Sequence, residues 1–264
     1  MFNKIISFAL TFMLLSFSAL VFNSCAQDER TTLEKIMDDG VFTVVGSGGY
    51  PPFNYYDEND EVVGFDVDTG LAIAEALGVD LNYETSAWDG LIDGLKAGHY
   101  DAILGSMAIT EERLKEVSFT IPYYYSGAQV VVRADSDIVD PFELMGRDIA
   151  VATGTTFEDD AYNLGANPVL YEDDNQTLLE LINGRVDAVI TDRLVVIRAM
   201  QEMAGGENLM MIGDLLRTEE MALAIRQEDE GLLEKLNDII RNLHWDGVLS
   251  QISYKWFDGE DISQ

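Results

Sequence analysis

One stretch, from Asp101 to Arg113, combines residue types that can bind a small anion. Its apolar start is typical of a strand buried on both faces, its central Gly-Ser pair allows close backbone approach, and Thr110 is suited to cap a following helix. Arg113 would then lie where a strand passes into a helix, the edge of an open α/β sheet at which ligands bind, and its guanidinium can hold a carboxylate through two parallel hydrogen bonds. A surface ion pair with Glu111 or Glu112 explains Arg113 equally well from this stretch alone.

An internal similarity indicates how such stretches are arranged. The segment Leu95–Ile103 resembles Leu181–Val189, since each contains a helix end, a Gly stop and an Asp-Ala strand start. Val41–Val45, which precedes a Gly-rich loop, likewise resembles Asp148–Ala152. Two halves built on the same β-turn-α plan predict two similar α/β lobes, and the period is too long for a solenoid.

Two β-rich segments are expected to connect the lobes. Gln129–Arg133 leaves the first half and Met221–Arg226 leaves the second, after which Glu230–Phe257 is helical and amphipathic and is expected to pack on the first lobe. Two crossing segments predict a hinge around a ligand cleft. The predicted division is lobe 1 at residues 41–131 plus 225–264 and lobe 2 at residues 132–224.

The N-terminal residues 1–24 resemble a bacterial lipoprotein signal. Lys4 precedes an apolar run from Ile5 to Phe22, and the only cysteine, Cys25, follows where that run ends. A membrane anchor helix and a plain secretory signal are the competing interpretations. Residues 25–40 are predicted to form a linker and a short helix, so the protein would be lipid-anchored at Cys25 in the periplasm or at the cell surface. A single cysteine excludes intrachain disulfides and a cysteine-ligated metal site.

The charge of the chain excludes one class of partner. With 48 acidic and 16 basic residues, the net charge is −32, which argues against nucleic-acid binding because phosphate contacts need clustered cations. The acidic residues are distributed along the whole chain and form a solvated, self-repelling surface, so a monomer is expected. The scarcity of lysine suggests adaptation to a salty medium, where screening shortens the repulsion.

A series of short motifs, each weak alone, is specific in its order and spacing: Tyr50-Pro51-Pro52-Phe53, Gly64-Phe65-Asp66-Val67-Asp68, Asp101-Ala102, Ile109-Thr110-Glu111-Glu112-Arg113, Ser118-Phe119 with Pro122-Tyr123-Tyr124, Gly154-Thr155-Thr156, Asp187-Ala188 with Asp192, and Lys255-Trp256-Phe257. From about Val41 to Phe257 the chain therefore resembles the family 3 extracellular solute-binding proteins, the polar amino acid receptors of ABC importers. The resemblance implies the two-lobed type II periplasmic-binding-protein fold. It also implies closure on a polar amino acid or related small zwitterion, delivery to ABC permease subunits, and no enzymatic activity, cofactor or metal.

The resemblance assigns the main-chain groups of the ligand to both lobes. Arg113 would hold the α-carboxylate together with backbone N–H groups of Thr155 and Thr156 at a helix start. Asp192 would bind the α-ammonium, assisted by the Ser106 backbone carbonyl. Asp192 also fits the N-cap of the helix that follows it, and this interpretation stays open.

Aromatic and acidic residues complete the expected site. Tyr50 and Trp88 would enclose the side chain or carbon skeleton of the ligand. Trp88 can alternatively belong to the core, although its polar neighbour Asp89 favours a loop edge. Asp66 and Asp68 are expected to be structural and to cap a helix.

Two positions depart from the pattern of the family. Ala108 stands where a Ser or Thr hydroxyl usually helps to bind the ammonium group. Ser47 stands where receptors for basic amino acids often carry Asp or Glu. The sequence therefore favours a neutral or acidic polar ligand over Arg, Lys or His.

Two other classes of function remain as alternatives. The same fold is used by dehydratases of cyclohexadienyl carboxylates, which would keep Arg113 and add a general acid, but neither His99 nor His244 lies near the motifs of the expected cleft. A ligand-sensing module would have to act through a separate membrane receptor.

Overall fold

The computed structural model describes residues 30–264, so the predicted signal segment and Cys25 lie outside the described residues. Thr32–Gln264 form one compact unit. This unit contains two five-stranded sheets, each the centre of one lobe, and a small three-stranded sheet. No helix within residues 30–264 is long and apolar enough to cross a membrane. The predicted two-lobed α/β architecture is confirmed.

The sheet of the first lobe has the spatial order β5 (Asp80–Thr85), β1 (Val41–Gly46), β6 (Ala102–Ile103), β13 (Ala224–Ile225) and β7 (Ser118–Phe119). The first three strands are parallel, whereas β13 runs antiparallel to both of its neighbours. Phe42 and Val44 of β1 are fully buried. Such apolar strands suit the interior of a parallel sheet.

The helices of the first lobe are α1 (Thr32–Asp39), α2 (Phe65–Leu77), α3 (Leu91–Lys96), α7 (Glu230–Trp245) and α8 (Val248–Trp256). The predicted C-terminal amphipathic region thus forms two helices. Leu232, Leu236 and Ile240 of α7 are buried at helical spacing. Both α7 and α8 pack on α2, which ends at Gly78 in the left-handed conformation.

A small antiparallel sheet lies beside the first lobe and consists of β2 (Gly49–Tyr50), β3 (Asn54–Tyr56) and β4 (Val62–Val63). Gly64 joins this sheet to α2 with φ 138°. A Cβ at this position would lie 2.1 Å from the Phe53 carbonyl oxygen, so only glycine fits. This tight junction fixes the start of α2, and with it Asp66, close to β3.

The sheet of the second lobe has the spatial order β10 (Asn167–Tyr171), β9 (Asp148–Ala152), β11 (Ala188–Asp192), β8 (Tyr124–Arg133) and β12 (Leu209–Met221). Its helices are α4 (Thr156–Asn163), α5 (Asp174–Ile182) and α6 (Arg193–Glu202). Three parallel strands followed by an antiparallel pairing repeat the plan of the first sheet. This repetition is the structural counterpart of the internal sequence similarity.

Four 3-10 helices complete the secondary structure of residues 30–264: Trp88–Gly90, Arg113–Lys115, Pro141–Leu144 and Gly206–Asn208. The helix expected after Thr110 is therefore only a single 3-10 turn. Thr110 still accepts a hydrogen bond from the backbone N–H of Arg113 at its Oγ1, 3.1 Å away. The N-cap of this 3-10 helix is Glu112, so Thr110 bonds the first helical N–H from outside the cap position.

The chain crosses between the sheets twice, between β7 and β8 and between β12 and β13. The two crossings lie side by side, because the Tyr123 N–H donates to the Met221 carbonyl at 2.9 Å. The expected boundary between residues 131 and 132 falls inside β8. All of β8, from Tyr124 onward, pairs with β11 or β12, so sheet membership moves this crossing to the residues before Tyr124.

Candidate ligand-binding cleft

A cleft between the two lobes collects most of the residues expected to bind a ligand. The space between its atoms, including the opening to solvent, is about 500 Å³. Eight of the nine expected residues line it: Ser47, Tyr50, Trp88, Ser106, Ala108, Arg113, Thr155 and Thr156. Asp192 does not line it.

Arg113 is a half-buried cation that has no ion-pair partner among residues 30–264. Its Nη1 donates to the Ala108 carbonyl oxygen at 2.8 Å, and its guanidinium carbon lies 5.4 Å from the centroid of the Trp88 ring. Within residues 30–264 Arg113 forms no ion pair, so the surface pair with Glu111 or Glu112 is not formed. Burial lowers the pKa of Arg113, with the Glu219 carboxylate acting in the opposite direction. A desolvated guanidinium that lines a cleft favours an anionic ligand group.

The N-terminus of α4 faces the cleft from the second lobe. Thr155 is the N-cap residue in extended conformation, and its Oγ1 donates to the Ala152 carbonyl oxygen at 2.7 Å. The Thr156 Oγ1 donates to Glu219 Oε1 at 2.8 Å. The first backbone N–H groups of a helix have no partner within the helix and carry a partial positive charge. Both lobes therefore present groups suited to a carboxylate.

Asp192 ends β11 and is the N-cap of α6. Its Oδ1 accepts hydrogen bonds from the Leu194 N–H at 2.7 Å and from the Ser126 Oγ at 2.9 Å. Its Oδ2 is buried and has no hydrogen-bond partner among the described residues. Burial raises the pKa of Asp192 to about 7, and the nearby carboxylates Glu219 and Asp174 add to this. The capping role is thus present, and one oxygen remains unused by it.

Ser106 has a left-handed backbone with φ 58°, which is unusual for a residue with a side chain. Its Oγ donates to Asp66 Oδ2 at 2.9 Å, and its N–H donates to the Tyr123 hydroxyl oxygen at 3.1 Å. The close backbone approach expected beside it is present, since a Cβ at Gly105 would lie 2.9 Å from the Gly46 Cα. Asp66 and Tyr123, which do not line the cleft, therefore fix the position of Ser106 in the cleft wall.

The expectation that Asp66 and Asp68 cap a helix is wrong. The N-cap of α2 is Gly64, without a side-chain cap, and Asp66 instead lies fully buried behind the cleft wall. Asp68 accepts hydrogen bonds from Lys255 Nζ at 2.6 Å and Trp256 Nε1 at 2.7 Å. Both carboxylates join distant parts of the first lobe.

The two aromatic residues of the expected site differ in their surroundings. The Tyr50 ring stacks on Phe53 with a centroid separation of 5.3 Å. Trp88 is partly buried against the hydrophobic cluster that contains Leu91 and Leu95 of α3. It also lines the cleft and donates from Nε1 to the Gly154 carbonyl oxygen at 3.1 Å. Trp88 therefore contributes to both the core and the cleft wall.

The two positions that depart from the family pattern also lie in the wall. Ala108 is buried and forms an isolated β-bridge with Met221 at the hinge. The Ser47 Oγ donates to Asn54 Oδ1 at 3.2 Å. Neither position places a charge in the cleft.

Sequence reasoning missed an acidic wall on the second lobe, formed by Glu172, Asp173, Asp174 and Glu219. Asp174 accepts from the Thr191 Oγ1 at 2.5 Å, and burial raises its pKa to about 6. The run from residue 172 to residue 174 follows the carboxyl end of β10, a parallel strand, so the strand-end rule applied to Arg113 would have found it.

Glu219 had no comparable signal in the sequence, because it lies within β12 and outside any motif. Its Oε1 contacts Arg217 Nη1 at 2.5 Å, whereas its Oε2 is buried without a hydrogen-bond partner in the described part of the chain. Among the described residues that line the cleft, Arg113 is therefore a cation without an ion pair opposite several carboxylates. This distribution matches a ligand that carries both an anionic and a cationic group.

Comparisons with known proteins agree with this geometry. The sequence profile of the bacterial extracellular solute-binding proteins, family 3, matches residues 42–259. The chain is 30% identical over 236 residues to the L-cystine-binding protein TcyJ of Escherichia coli K12, with 88% of each protein covered. It is 33% identical over 218 residues to the ABC transporter arginine-binding protein 1 of the same organism, covering 80% of this chain and 88% of that protein.

A comparison with solved structures also finds an amino acid-binding protein. The crystal structure of the ancestral amino acid-binding protein AncCDT-1, described as a precursor of cyclohexadienyl dehydratase, superimposes with a TM-score of 0.80 at 31% identity. The alignment covers 86% of this chain and all of that one, 100%.

Proposed function

The chain belongs to the bacterial extracellular solute-binding proteins of family 3, and on that premise we propose that its cleft binds an α-amino acid with a neutral polar or cationic side chain. The chain is the substrate-binding receptor of an amino acid ABC transporter and is not an enzyme. It acts outside the cytoplasm, where this family is located. The observation that carries the proposal is the half-buried Arg113 in the cleft, which forms no ion pair with any described residue.

The α-carboxylate of the ligand is assigned to Arg113 and the α4 N-terminus. Arg113 has donors left over after its bond to the Ala108 carbonyl, and a bidentate pair with a carboxylate uses two of them. Thr155 and Thr156 supply backbone N–H groups from the opposite lobe. A carboxylate between these groups joins the lobes and neutralises Arg113.

The α-ammonium group is assigned to the Ser106 backbone carbonyl and to the unpartnered Oδ2 of Asp192. Because Asp192 does not line the cleft in this form, the assignment requires its Oδ2 to become accessible when the lobes open. A cation next to Asp192 compensates the desolvation that raises its pKa. Because Ala108 lacks a hydroxyl, the ammonium group has one acceptor fewer than in the usual pattern of the family.

The ligand side chain is assigned to the space between Tyr50 and Trp88. The acidic wall of the second lobe repels a side-chain carboxylate and attracts a cation. This distribution changes the expectation based on Ser47, which favoured neutral or acidic ligands. It agrees with relatives that are named for binding L-cystine and arginine.

Ligand capture is proposed to proceed by hinge rotation, with the first crossing before Tyr124 and the second between Met221 and Ala224. Among the hydrogen bonds that join the lobes in the described part of the chain, two lie at the cleft. Trp88 Nε1 donates to the Gly154 carbonyl at 3.1 Å, and Asn175 Nδ2 donates to the Gly49 carbonyl at 3.2 Å. The closed geometry would be the signal that the permease subunits recognise.

The N-terminal residues extend the proposal to the membrane. Cleavage before Cys25 and lipidation of that cysteine would anchor a monomeric receptor at the membrane surface. Intact-mass spectrometry of protein from the membrane fraction tests this directly. An intact mass that lacks the added mass of a lipid on a chain beginning at Cys25 would contradict lipidation at this residue.

Calorimetric titration of the purified full chain tests the ligand class. The panel is arginine, its neutral isostere citrulline, cystine, glutamine and glutamate. We expect arginine to bind roughly 10-fold or more tightly than citrulline, and glutamate to bind most weakly, because the wall carries several carboxylates. The Asp174→Asn variant should reduce the arginine-to-citrulline ratio. Equal binding of glutamate and arginine would contradict the assigned class, and no binding of any amino acid would contradict the proposed function.

A further inference from the structure

We propose that Asp66, which does not line the cleft, sets ligand affinity as a positioning residue by holding Ser106 and, through Asn54, the Ser47–Gly48 turn in their binding geometry. The proposal rests on the proposed function, because it assumes that the cleft formed by these residues takes the amino acid.

The Asp66 carboxylate is surrounded by hydrogen-bond donors. It accepts from the Tyr123 hydroxyl at 2.5 Å, from Asn54 Nδ2 at 2.7 Å and from the Ser106 Oγ at 2.9 Å. Asp66, Asn54 and Tyr123 are fully buried, and Ser106 is nearly so. Charge-assisted hydrogen bonds of this kind are stronger than neutral ones and are not exchanged with water in a buried site.

Ser106 needs this support because its backbone is left-handed, at φ 58°. A residue with a Cβ occupies this conformation only when its surroundings compensate the steric cost. Asp66 fixes the Ser106 side chain directly, and it orients the Tyr123 hydroxyl, whose oxygen accepts from the Ser106 N–H at 3.1 Å. The left-handed turn therefore depends on two contacts that share one carboxylate.

The same carboxylate reaches a second part of the cleft wall through Asn54. The Asn54 amide donates to Asp66, which leaves its Oδ1 to accept from the Gly48 N–H at 2.9 Å and from the Ser47 Oγ at 3.2 Å. Asp66 thus determines the orientation of the Asn54 amide, and with it the turn before Tyr50. One buried side chain connects two wall segments of the first lobe that are distant in sequence.

Asparagine at position 66 keeps the size of the side chain and replaces one acceptor oxygen with a donor. That NH₂ group would face donors from Ser106, Asn54 or Tyr123. Asp68 offers a matched control, because it lies on the same helix and bonds Lys255 and Trp256 away from the cleft. Asp66→Asn and Asp68→Asn therefore make the same chemical change on one helix, with and without a connection to the wall.

The test is calorimetric titration of the full chain with the tightest-binding amino acid of the panel, alongside thermal unfolding. Asp66→Asn should weaken binding roughly 10-fold or more, whereas Asp68→Asn should leave the dissociation constant within about 2-fold of wild type. If Asp66→Asn does not fold, Tyr123→Phe provides the same test, because it removes the hydroxyl between Asp66 and Ser106. We expect this variant to bind roughly 3-fold to 10-fold more weakly.

A double-mutant cycle separates positioning from general destabilisation. Ser106→Gly removes the Oγ and adopts the left-handed conformation freely, so Asp66→Asn should cost much less affinity in that background. If Asp66→Asn weakens binding by the same factor with and without Ser106→Gly, the two residues act independently and the proposal is overturned. Wild-type affinity of the Asp66→Asn variant would also overturn it. A wild-type chain that binds no amino acid would instead refute the proposed function, so the two failures are distinguishable.

Discussion

The Nε1 of Trp88 lies 3.1 Å from the carbonyl oxygen of Gly154 and donates a hydrogen bond to it. This bond joins a residue of the first lobe that lines the cleft to the loop of the second lobe just before α4. Trp88 also lies beside the Arg113 guanidinium, at 5.4 Å from the ring centroid. The Arg113 guanidinium, the aromatic wall and the contact between the lobes are therefore one connected unit.

The bond between Trp88 and Gly154 predicts an effect on ligand release. A Trp88→Phe variant keeps an aromatic wall and loses the bond, which is worth about 0.5–1.5 kcal/mol net. Dissociation should become roughly 2-fold to 10-fold faster, while association changes little, because the bond joins the two lobes and must break for the cleft to open. Stopped-flow fluorescence measures both rates, and an unchanged dissociation rate would exclude a role for this bond in closure.

Position 108 predicts a gain of affinity. Ala108→Ser restores the hydroxyl that the usual family pattern places near the ammonium group, and the small side chain lines the cleft. One added hydrogen bond should strengthen binding by up to roughly 10-fold. A ligand analogue without the α-amino group is the control, since it should gain nothing. Weaker binding of the amino acid by Ala108→Ser would show that the ammonium group lies elsewhere.

Lowering the pH is predicted to affect the stability of the folded protein and its affinity for the ligand in opposite directions. Burial raises the pKa values of Asp66 and Asp174 to about 6 and that of Asp192 to about 7. A carboxyl with a raised folded-state pKa binds protons more tightly in the folded chain than in the unfolded chain. Its stabilising contribution is complete below the unfolded pKa and is lost as the pH rises through the folded pKa.

Lowering the pH from about 8 to about 5 should therefore raise the melting temperature of the ligand-free protein. Over the same range ligand affinity should fall, because the ammonium group needs an ionised Asp192. The measurements are thermal unfolding without ligand and calorimetric titration across this range. Asp192→Asn should remove most of the pH dependence of affinity. If affinity instead increases on acidification, the assignment of Asp192 to the ammonium group is wrong.

Residues within recognisable motifs were predictable, and residues joined by long-range contacts were not. Arg113 was found because a strand end followed by a cap and a cation is a local pattern. Asp66 was taken for a helix cap because its partners Asn54, Ser106 and Tyr123 are distant in sequence, and only the folded chain brings them together. The lobe division was placed too late in β8 for a similar reason, since strand pairing rather than composition determines it.

Glu219 illustrates a further limit of sequence reasoning. Within a chain that has 48 acidic residues, nothing local distinguishes a carboxylate in the cleft wall from one in solvent. Glu219 is buried because β12 passes the cleft near the hinge, where Arg217 and Thr156 contact its Oε1. Its position follows from the meeting of the two lobes, which no single segment of the chain encodes.

The central claim is that Arg113 binds the α-carboxylate of an amino acid in the cleft. Calorimetric titration of the wild type and of Arg113→Gln, with arginine and with its decarboxylated analogue agmatine, tests it most directly. The control variant is Arg147→Gln, which removes a half-exposed guanidinium of the second lobe that pairs with Asp137 and Asp187.

We expect Arg113→Gln to lose about 2–5 kcal/mol of binding free energy for arginine, because the carboxylate would be buried without its partner. Its affinity for agmatine should match that of the wild type, and Arg147→Gln should bind both compounds as the wild type does. Wild-type affinity of Arg113→Gln for arginine would contradict the account.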